Sequence, residues 1–569
     1  MKVPGARVRV SWTHLISAAL VAALGVLAIV TGLVAFVVLN PTGSATVAEA
    51  LAKDQTLSFP IAQDVTDFDP AQISTPADVD VLRNVFSGLY KFDQQLKEVP
   101  DLAVGVPSVS ADGLTYTFRV RHDARFSNGD PITADDFIYS WNRAAAKQGE
   151  YADLFQVVAG YSQVAQGRAT TLSGLAKVDA YTFTSTLTKP SGYWFTEVGL
   201  WPFWVVDSKV IASAGEDVWF TRPDTLIGSG PFRMVARAAG QSIDFAPVPA
   251  WFGGKTGAVT HVHVDVVSDP DVQIASYEKG VYSLIGYARQ GLSPAAAIRY
   301  TTGTDPKLKD QLKLVPAALT VWIGFNLKSG PFAGVDTGRA GRYAFSAAID
   351  RKALSNSLCN QDTSCVAATG GLISKGLQGY MGDAADFNAR FDPVAAKAKY
   401  KAWDPDGSKV KGLTYTYDTN PFNLAVCQNL IAQWQANLGV AVQCVEMDRK
   451  TFFDERDGKC AYPAFRQSWS ADYDHPQDWF DYLFMSGASS NGSCYSQPNY
   501  DQLIAGADSK PLKESLVDYK TASQTLIDDS IAGALVYGVQ QYLVHPYVKG
   551  AGGNALYDFY WSDARILKH

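Results

Sequence analysis

Between Gly412 and Asp448 the chain reads strand, helix, strand, and this constrains the fold more than any other stretch. "GLTYTYDT" alternates apolar and polar residues. "NLAVCQNLIAQWQANLG" has helical spacing and ends at Gly439, a residue suited to a left-handed C-cap. "VAVQCVEMD" alternates again. Such a unit implies two parallel strands joined by a right-handed crossover, so the chain falls in the α/β class. At 569 residues it is too long for one core, and two or three domains are expected. "TYTFRV" (115–120) and "HVHVDVV" (261–267) read as further strands. "TADDFIYSWNRAAA" (133–146) reads as a helix with a Thr N-cap and acids in its first turn, and 514–530 as a second amphipathic helix.

The N-terminus sets the compartment. Lys2, Arg7 and Arg9 precede an uncharged run from Leu15 to Leu39. At about 1.5 Å per residue this run spans roughly 37 Å, enough to cross a hydrocarbon layer of about 30 Å. The reading is a cytoplasmic segment (1–14), a transmembrane anchor (15–39) and a tether (40–54), with all that follows extracytoplasmic. "AEA" at 48–50 leaves a cleaved signal sequence as the alternative, which would release a secreted or periplasmic protein. The six cysteines agree with export, since all lie between 359 and 494. Nearest-neighbour disulfides are expected: Cys359 with Cys365, Cys427 with Cys444, and Cys460 with Cys494. A zinc site is the alternative, but no CxxC pair is present.

Net charge is −7, and no long basic run offers phosphate contacts, which argues against a nucleic-acid partner. GxSxG, HExxH, Walker and GxGxxG patterns are absent. His261 and His263 put two imidazoles on one strand face, as some metal sites do, although an exposed strand explains them equally well. "AFRQSWSADYDHPQDWF" (464–480) is the densest chemical stretch. Asp472 with Asp474 or Asp478 has the look of a hydrolytic acid pair. Read as a binding segment instead, it leaves Asp474 and Asp478 to cap the following helix or face solvent.

"RFSNGDPITADDFIYSWNRA" (125–144) resembles a segment of the large extracytoplasmic solute-binding proteins of ABC peptide importers. "VLRNVFSGLYKFD" (81–93), "IGSGPFRM" (227–234), "FNLKSGPFAG" (325–334) and "YAFSAAIDRKAL" (343–354) follow that family's order, and "WSADY" (469–473) resembles a further block. The resemblance covers about residues 55–569. It implies a two-lobed clamshell, with lobe I from 55–87, 226–318 and 539–569, an additional domain from 88–225, and lobe II from 319–538. It implies a monomeric binding protein without catalytic activity or cofactor. Its ligand would be a short peptide, closed upon by the lobes and delivered to permease subunits with their ATPases. A binding fold kept for a regulatory or cell-envelope role is the alternative.

Residue by residue, the resemblance assigns the peptide ammonium to Asp472. It sets Ser468, Trp469 and Ser470 beside the peptide backbone, with Trp469 alternating to the other strand face. Arg456 and Arg466 match cations for the peptide carboxylate, because a guanidinium fork suits a carboxylate. Tyr151 matches a tyrosine that reaches the peptide backbone. Asn423 stands where the family has a histidine, and Arg449 where it has a tryptophan. An Arg at that pocket would favour acidic side chains or a shorter ligand's carboxylate.

Overall fold

The computed structural model describes residues 50–569 apart from 250, 255, 256 and 304. The expected anchor at 15–39, the segment before it and residues 40–49 of the tether lie outside the described residues. Among the described residues no helix is long and apolar enough to cross a membrane. Lys53–Leu567 with His569 form one compact unit, which is described below.

It is an α/β fold; among the described residues three of its five sheets have more than two strands. A four-stranded sheet has the order Thr56–Ile61, His261–Val266, Ser242–Pro247, Phe232–Ala238, and its first pair is parallel. An antiparallel four-stranded sheet runs Ser108–Val109, Thr115–Arg119, Thr182–Thr186, Leu175–Asp179. The strands of these two sheets share one large core, which includes Phe59, Val262, Phe118, Trp141 and Phe183. The Ala134–Lys147 helix packs Trp141 into that core. It starts with a capping box, in which Asp136 accepts from the backbone of Thr133 at 2.8 Å.

The third sheet has seven strands around a second large core. The crossover unit is present as expected. Thr414–Asp418 pairs in parallel with Gln443–Met447, and the Pro421–Leu438 helix between them ends on Gly439 at φ 77°. Two long strands, Leu312–Phe325 and Ala532–Val544, lie side by side at the middle of this sheet. Their ladder shifts register between Pro316 and Thr320, where proline has no N–H to donate.

All three disulfides join sequence neighbours as expected: Cys359–Cys365, Cys427–Cys444 and Cys460–Cys494. The last closes a loop with a separation of 34 residues, against 6 for the first. Chain entropy scales with the logarithm of loop length, so its loss should cost about 4 kcal/mol against about 2 kcal/mol for the shorter loop. In denaturant titrations the Cys460→Ser/Cys494→Ser variant should therefore be the less stable of the two double variants. The reverse order would mean that native packing, not loop closure, sets the effect.

Candidate functional site

The Ala464–Ser470 strand pairs antiparallel with Leu312–Phe325 from Ala464 through Ser470. On its other edge, Thr414–Asp418 reaches only Ala464 and Phe465. Residues 466–470 therefore present a strand edge with no strand partner among the described residues. A cavity of about 550 Å³ lies along this edge, within the range of small-ligand sites. Its walls come from the 150–154 segment, which packs on the first core, and from residues 449–490, which pack largely on the second.

Seven of the nine residues expected from the sequence line this cavity: Tyr151, Arg449, Arg466, Ser468, Trp469, Ser470 and Asp472. The Tyr151 hydroxyl lies 3.5 Å from Asp472 Oδ1, and its ring meets the edge of Trp201 at 4.6 Å. Asp472 is raised to about 6, chiefly by burial; Glu150 and Asp153 push the same way, and Arg289 and Tyr151 oppose them. Arg289 donates to Ser470 Oγ at 3.4 Å and stacks over Tyr557 at 4.6 Å. Together with Asp472 it also lines a second cavity of about 30 Å³, opening towards Arg83 and Asp558.

Asp474 and Asp478 do not cap the helix and do not face solvent; both are buried. The tight turn at Pro476 folds them inward. Asp478 Oδ2 accepts from Trp469 Nε1 at 2.8 Å, and burial holds its carboxyl well above the usual range. Asp474 accepts from the backbone of Gln378 at 2.6 Å and is pushed up to about 7 by burial. The acceptor at the start of the Gln477–Phe484 helix is His475 Nδ1, 3.1 Å from Gln477 N, and burial drives this imidazole down to about 3. Trp469 alternates away from Ser468 and Ser470 along the strand, yet its indole stacks on Tyr482 and still lines the cavity.

Arg456 and Asn423 do not line the cavity. Arg456 is buried in its helix, with Nε and Nη2 both 2.7 Å from Asp457 and its guanidinium over Phe452 and Phe453. Asn423 donates to Asp418 Oδ1 at 3.0 Å. Asp418 is one of two residues that the sequence reading missed. Arg466 Nη1 and Arg449 Nη1 lie 3.5 and 3.7 Å from its carboxylate. Arg449 remains 78% exposed, so its cation is open to solvent. The available signal was position, because Asp418 ends a parallel strand and ligands of open α/β sheets gather at such carboxyl ends. Arg289 had no signal. It sits in a loop where both Ala288 and Arg289 have left-handed φ, at 55° and 60°.

Behind the cavity, hydrogen bonds run between the two cores. The Tyr473 hydroxyl lies 3.3 Å from Glu197 Oε1 and also donates to Gln477 Oε1. Gln477 Nε2 donates to Asp481 at 3.0 Å. Among the described residues one His/Asp group has metal-ligand spacing, Asp244, His261 and His263, and none of the three lines the cavity.

A family model described as bacterial extracellular solute-binding proteins, family 5, middle region, matches residues 97–491. The chain is 25% identical over 513 residues to the periplasmic oligopeptide-binding protein OppA of Haemophilus influenzae, covering 88% of this chain and 92% of that one. It is 26% identical over 545 residues to the periplasmic murein peptide-binding protein MppA of Escherichia coli, covering 91% and 94%. Among solved structures, an unliganded open form of MppA superposes with a TM-score of 0.79 at 23% identity, over 92% of this chain and 99% of that one. Haemophilus influenzae OppA in complex with the peptide RPPGFSPFR gives 0.70 at 23% identity, over 91% and 100%.

Proposed function

The chain belongs to the bacterial extracellular solute-binding proteins of family 5, and we propose that it captures short peptides with a free N-terminus and delivers them to the permease of an ABC transporter. It is a binding protein, not an enzyme, and it acts outside the cytoplasm. Relatives named as oligopeptide-, dipeptide- and murein peptide-binding proteins support peptides as the ligand class. The carrying observation is the open strand edge at 466–470 that ends two residues before Asp472. An extended peptide can add to such an edge through its backbone, which every peptide shares. Asp472 then receives the ammonium, a charge-assisted pair in a site shielded from water.

At the other end Arg466 and Arg449 meet the ligand's carboxylate or an acidic side chain. Asp418 already shares their charge, so this end discriminates less than Asp472 does. Arg456 is left out, because Asp457 occupies its fork.

The lobes proposed are those implied by the resemblance: 55–87, 226–318 and 539–569 for lobe I, 88–225 for the additional domain, and 319–538 for lobe II. The register shift between Pro316 and Thr320 supports this division, since a broken ladder is a natural pivot. Closure follows because the ligand touches both walls only in the closed form. The N-terminal run anchors the protein to the membrane beside its permease and ATPase partners.

Calorimetry of the full chain with di- to pentapeptides tests the reading. Peptides with free N-termini should bind and their N-acetylated forms should bind far more weakly. Below pH about 6 the free protein holds a proton on Asp472, which must leave before an ammonium can pair. Affinity should therefore be level from pH 6.5 to 7.5 and fall by up to about tenfold per unit below about 6. No heat with any peptide would sink the reading.

A further inference from the structure

The outer face of the Thr56–Ile61 sheet carries side chains that peptide capture does not use. Along His261–Val266, Val262 and Val264 are fully buried. Strand pleating turns His261, His263 and Asp265 to the opposite face, where each is partly exposed. The neighbouring Ser242–Pro247 strand sets Asp244 directly opposite His263. Asp244 Oδ1 lies 2.9 Å from His261 Nε2 and 2.7 Å from His263 Nδ1. One donor atom from each of the three residues falls within 4.8 Å of the others.

A second observation concerns the far side of the His263 ring. Its Nε2 lies 3.1 Å from Asp265 Oδ1, and Asp265 Oδ2 accepts from the Tyr282 hydroxyl at 3.1 Å. A metal-bound imidazole characteristically gives its other N–H to a carboxylate that is itself held in place, because this sets both the tautomer and the ring orientation. His263 has that support already built.

We propose that Asp244, His261 and His263 bind a divalent transition-metal ion, with Asp265 positioning His263 and water completing the coordination. Two imidazole nitrogens and one carboxylate suit Zn²⁺, Ni²⁺ or Cu²⁺, whereas Ca²⁺ and Mg²⁺ demand oxygen donors. The local charge agrees, since Asp244 and Asp265 flank two imidazoles that are neutral when ligating. Without the ion these groups are joined by hydrogen bonds of 2.7–3.1 Å. Metal–nitrogen bonds of about 2.0–2.1 Å at tetrahedral angles require donors roughly 3.3 Å apart. Asp244 must therefore draw back by a few tenths of an ångström, which its partly exposed side chain permits. Binding displaces protons from the site, so affinity rises with pH through the imidazole range.

The test is titration of the peptide-free full chain with ZnCl₂ by calorimetry, with X-ray absorption at the zinc edge. One equivalent should bind, and the spectrum should show two imidazole ligands. Asp265→Asn should weaken binding by about ten- to a hundredfold at unchanged stoichiometry, because only the orienting hydrogen bond is altered. His263→Ala should lose more than that, and His261→Ala/His263→Ala should abolish the site. Peptide affinity should stay unchanged in all of them, which also reports that each variant is folded. The proposal is overturned if zinc does not bind, if the double variant binds as the natural chain does, or if CaCl₂ binds as tightly as ZnCl₂. The first of these outcomes would make the cluster a hydrogen-bonded network only.

Discussion

Asp472→Ala is expected to weaken binding of a free-N-terminus peptide by roughly a hundred- to a thousandfold at pH 7, about 3–4 kcal/mol. A hydrogen bond to a charged group is worth about 1.5–3 kcal/mol, and stripping one partner from a shielded ion pair costs about 3–5 kcal/mol. The local charges push the estimate towards that range. Arg289, at 3.4 Å from Ser470 Oγ, is one of the groups whose field keeps Asp472 ionised. Without Asp472, that guanidinium remains near the place proposed for the ammonium. Asp478 is poorly placed to substitute, because burial pushes its carboxyl well above the usual range and Trp469 Nε1 already holds its Oδ2. Calorimetry on a double-mutant cycle of Asp472→Ala against peptide N-acetylation isolates the pair. N-acetylation should cost the natural protein most of what Asp472→Ala costs and cost the variant little. Equal losses from N-acetylation in both proteins would place the ammonium elsewhere in the cavity.

The largest effect on stability is expected at Arg342. This guanidinium is fully buried and bonds five backbone carbonyls: those of Ser530, Phe332, Gly334, Val335 and Asp529, at 2.6–3.0 Å. It ties the turn before the Val335–Ala347 helix to the end of the Leu512–Asp528 helix. Burial lowers it to about 10, so it remains charged at neutral pH. Arg342→Leu would leave five carbonyls short of a donor. At about 1 kcal/mol each the loss is on the order of 5 kcal/mol, at the extreme of single substitutions. Arg342→Lys keeps the charge but has three donors on one nitrogen and cannot reach both ends of the fork, so an intermediate loss is expected. Denaturant unfolding of the two variants reads the order. Arg342→Leu within about 1 kcal/mol of the natural chain would mean that the carbonyls find other donors.

Much of the framework was legible in the sequence. The Thr115–Arg119 strand, the capped Ala134–Lys147 helix and the crossover from Thr414 to Met447 all stand where periodicity and capping residues placed them. The disulfides followed sequence proximity. Ordered blocks of family resemblance also brought Tyr151, Arg466 and Asp472 to one cavity, although Tyr151 and Asp472 lie 321 positions apart. The acids after Asp472 were not legible, because alternation predicts which way a strand residue faces and says nothing about a turn that folds back on Trp469 and Gln378.

By itself, then, the sequence determined what depends on near neighbours: element type, caps, short disulfide loops, and which stretch is densest in charged and aromatic side chains. Hydrogen-bond ladders, 3.6-residue spacing and loop closure act over short separations, and so they leave local patterns. Only the tertiary structure decided what depends on groups brought from afar. It converged Asn423, Arg449 and Arg466 on Asp418, and turned Arg456 to Asp457. It also set Arg289 beside Ser470, 181 positions away, and Asp244 between His261 and His263. Charge interactions in a shielded site depend on distance in space, which strand register and loop path settle and no residue type encodes alone.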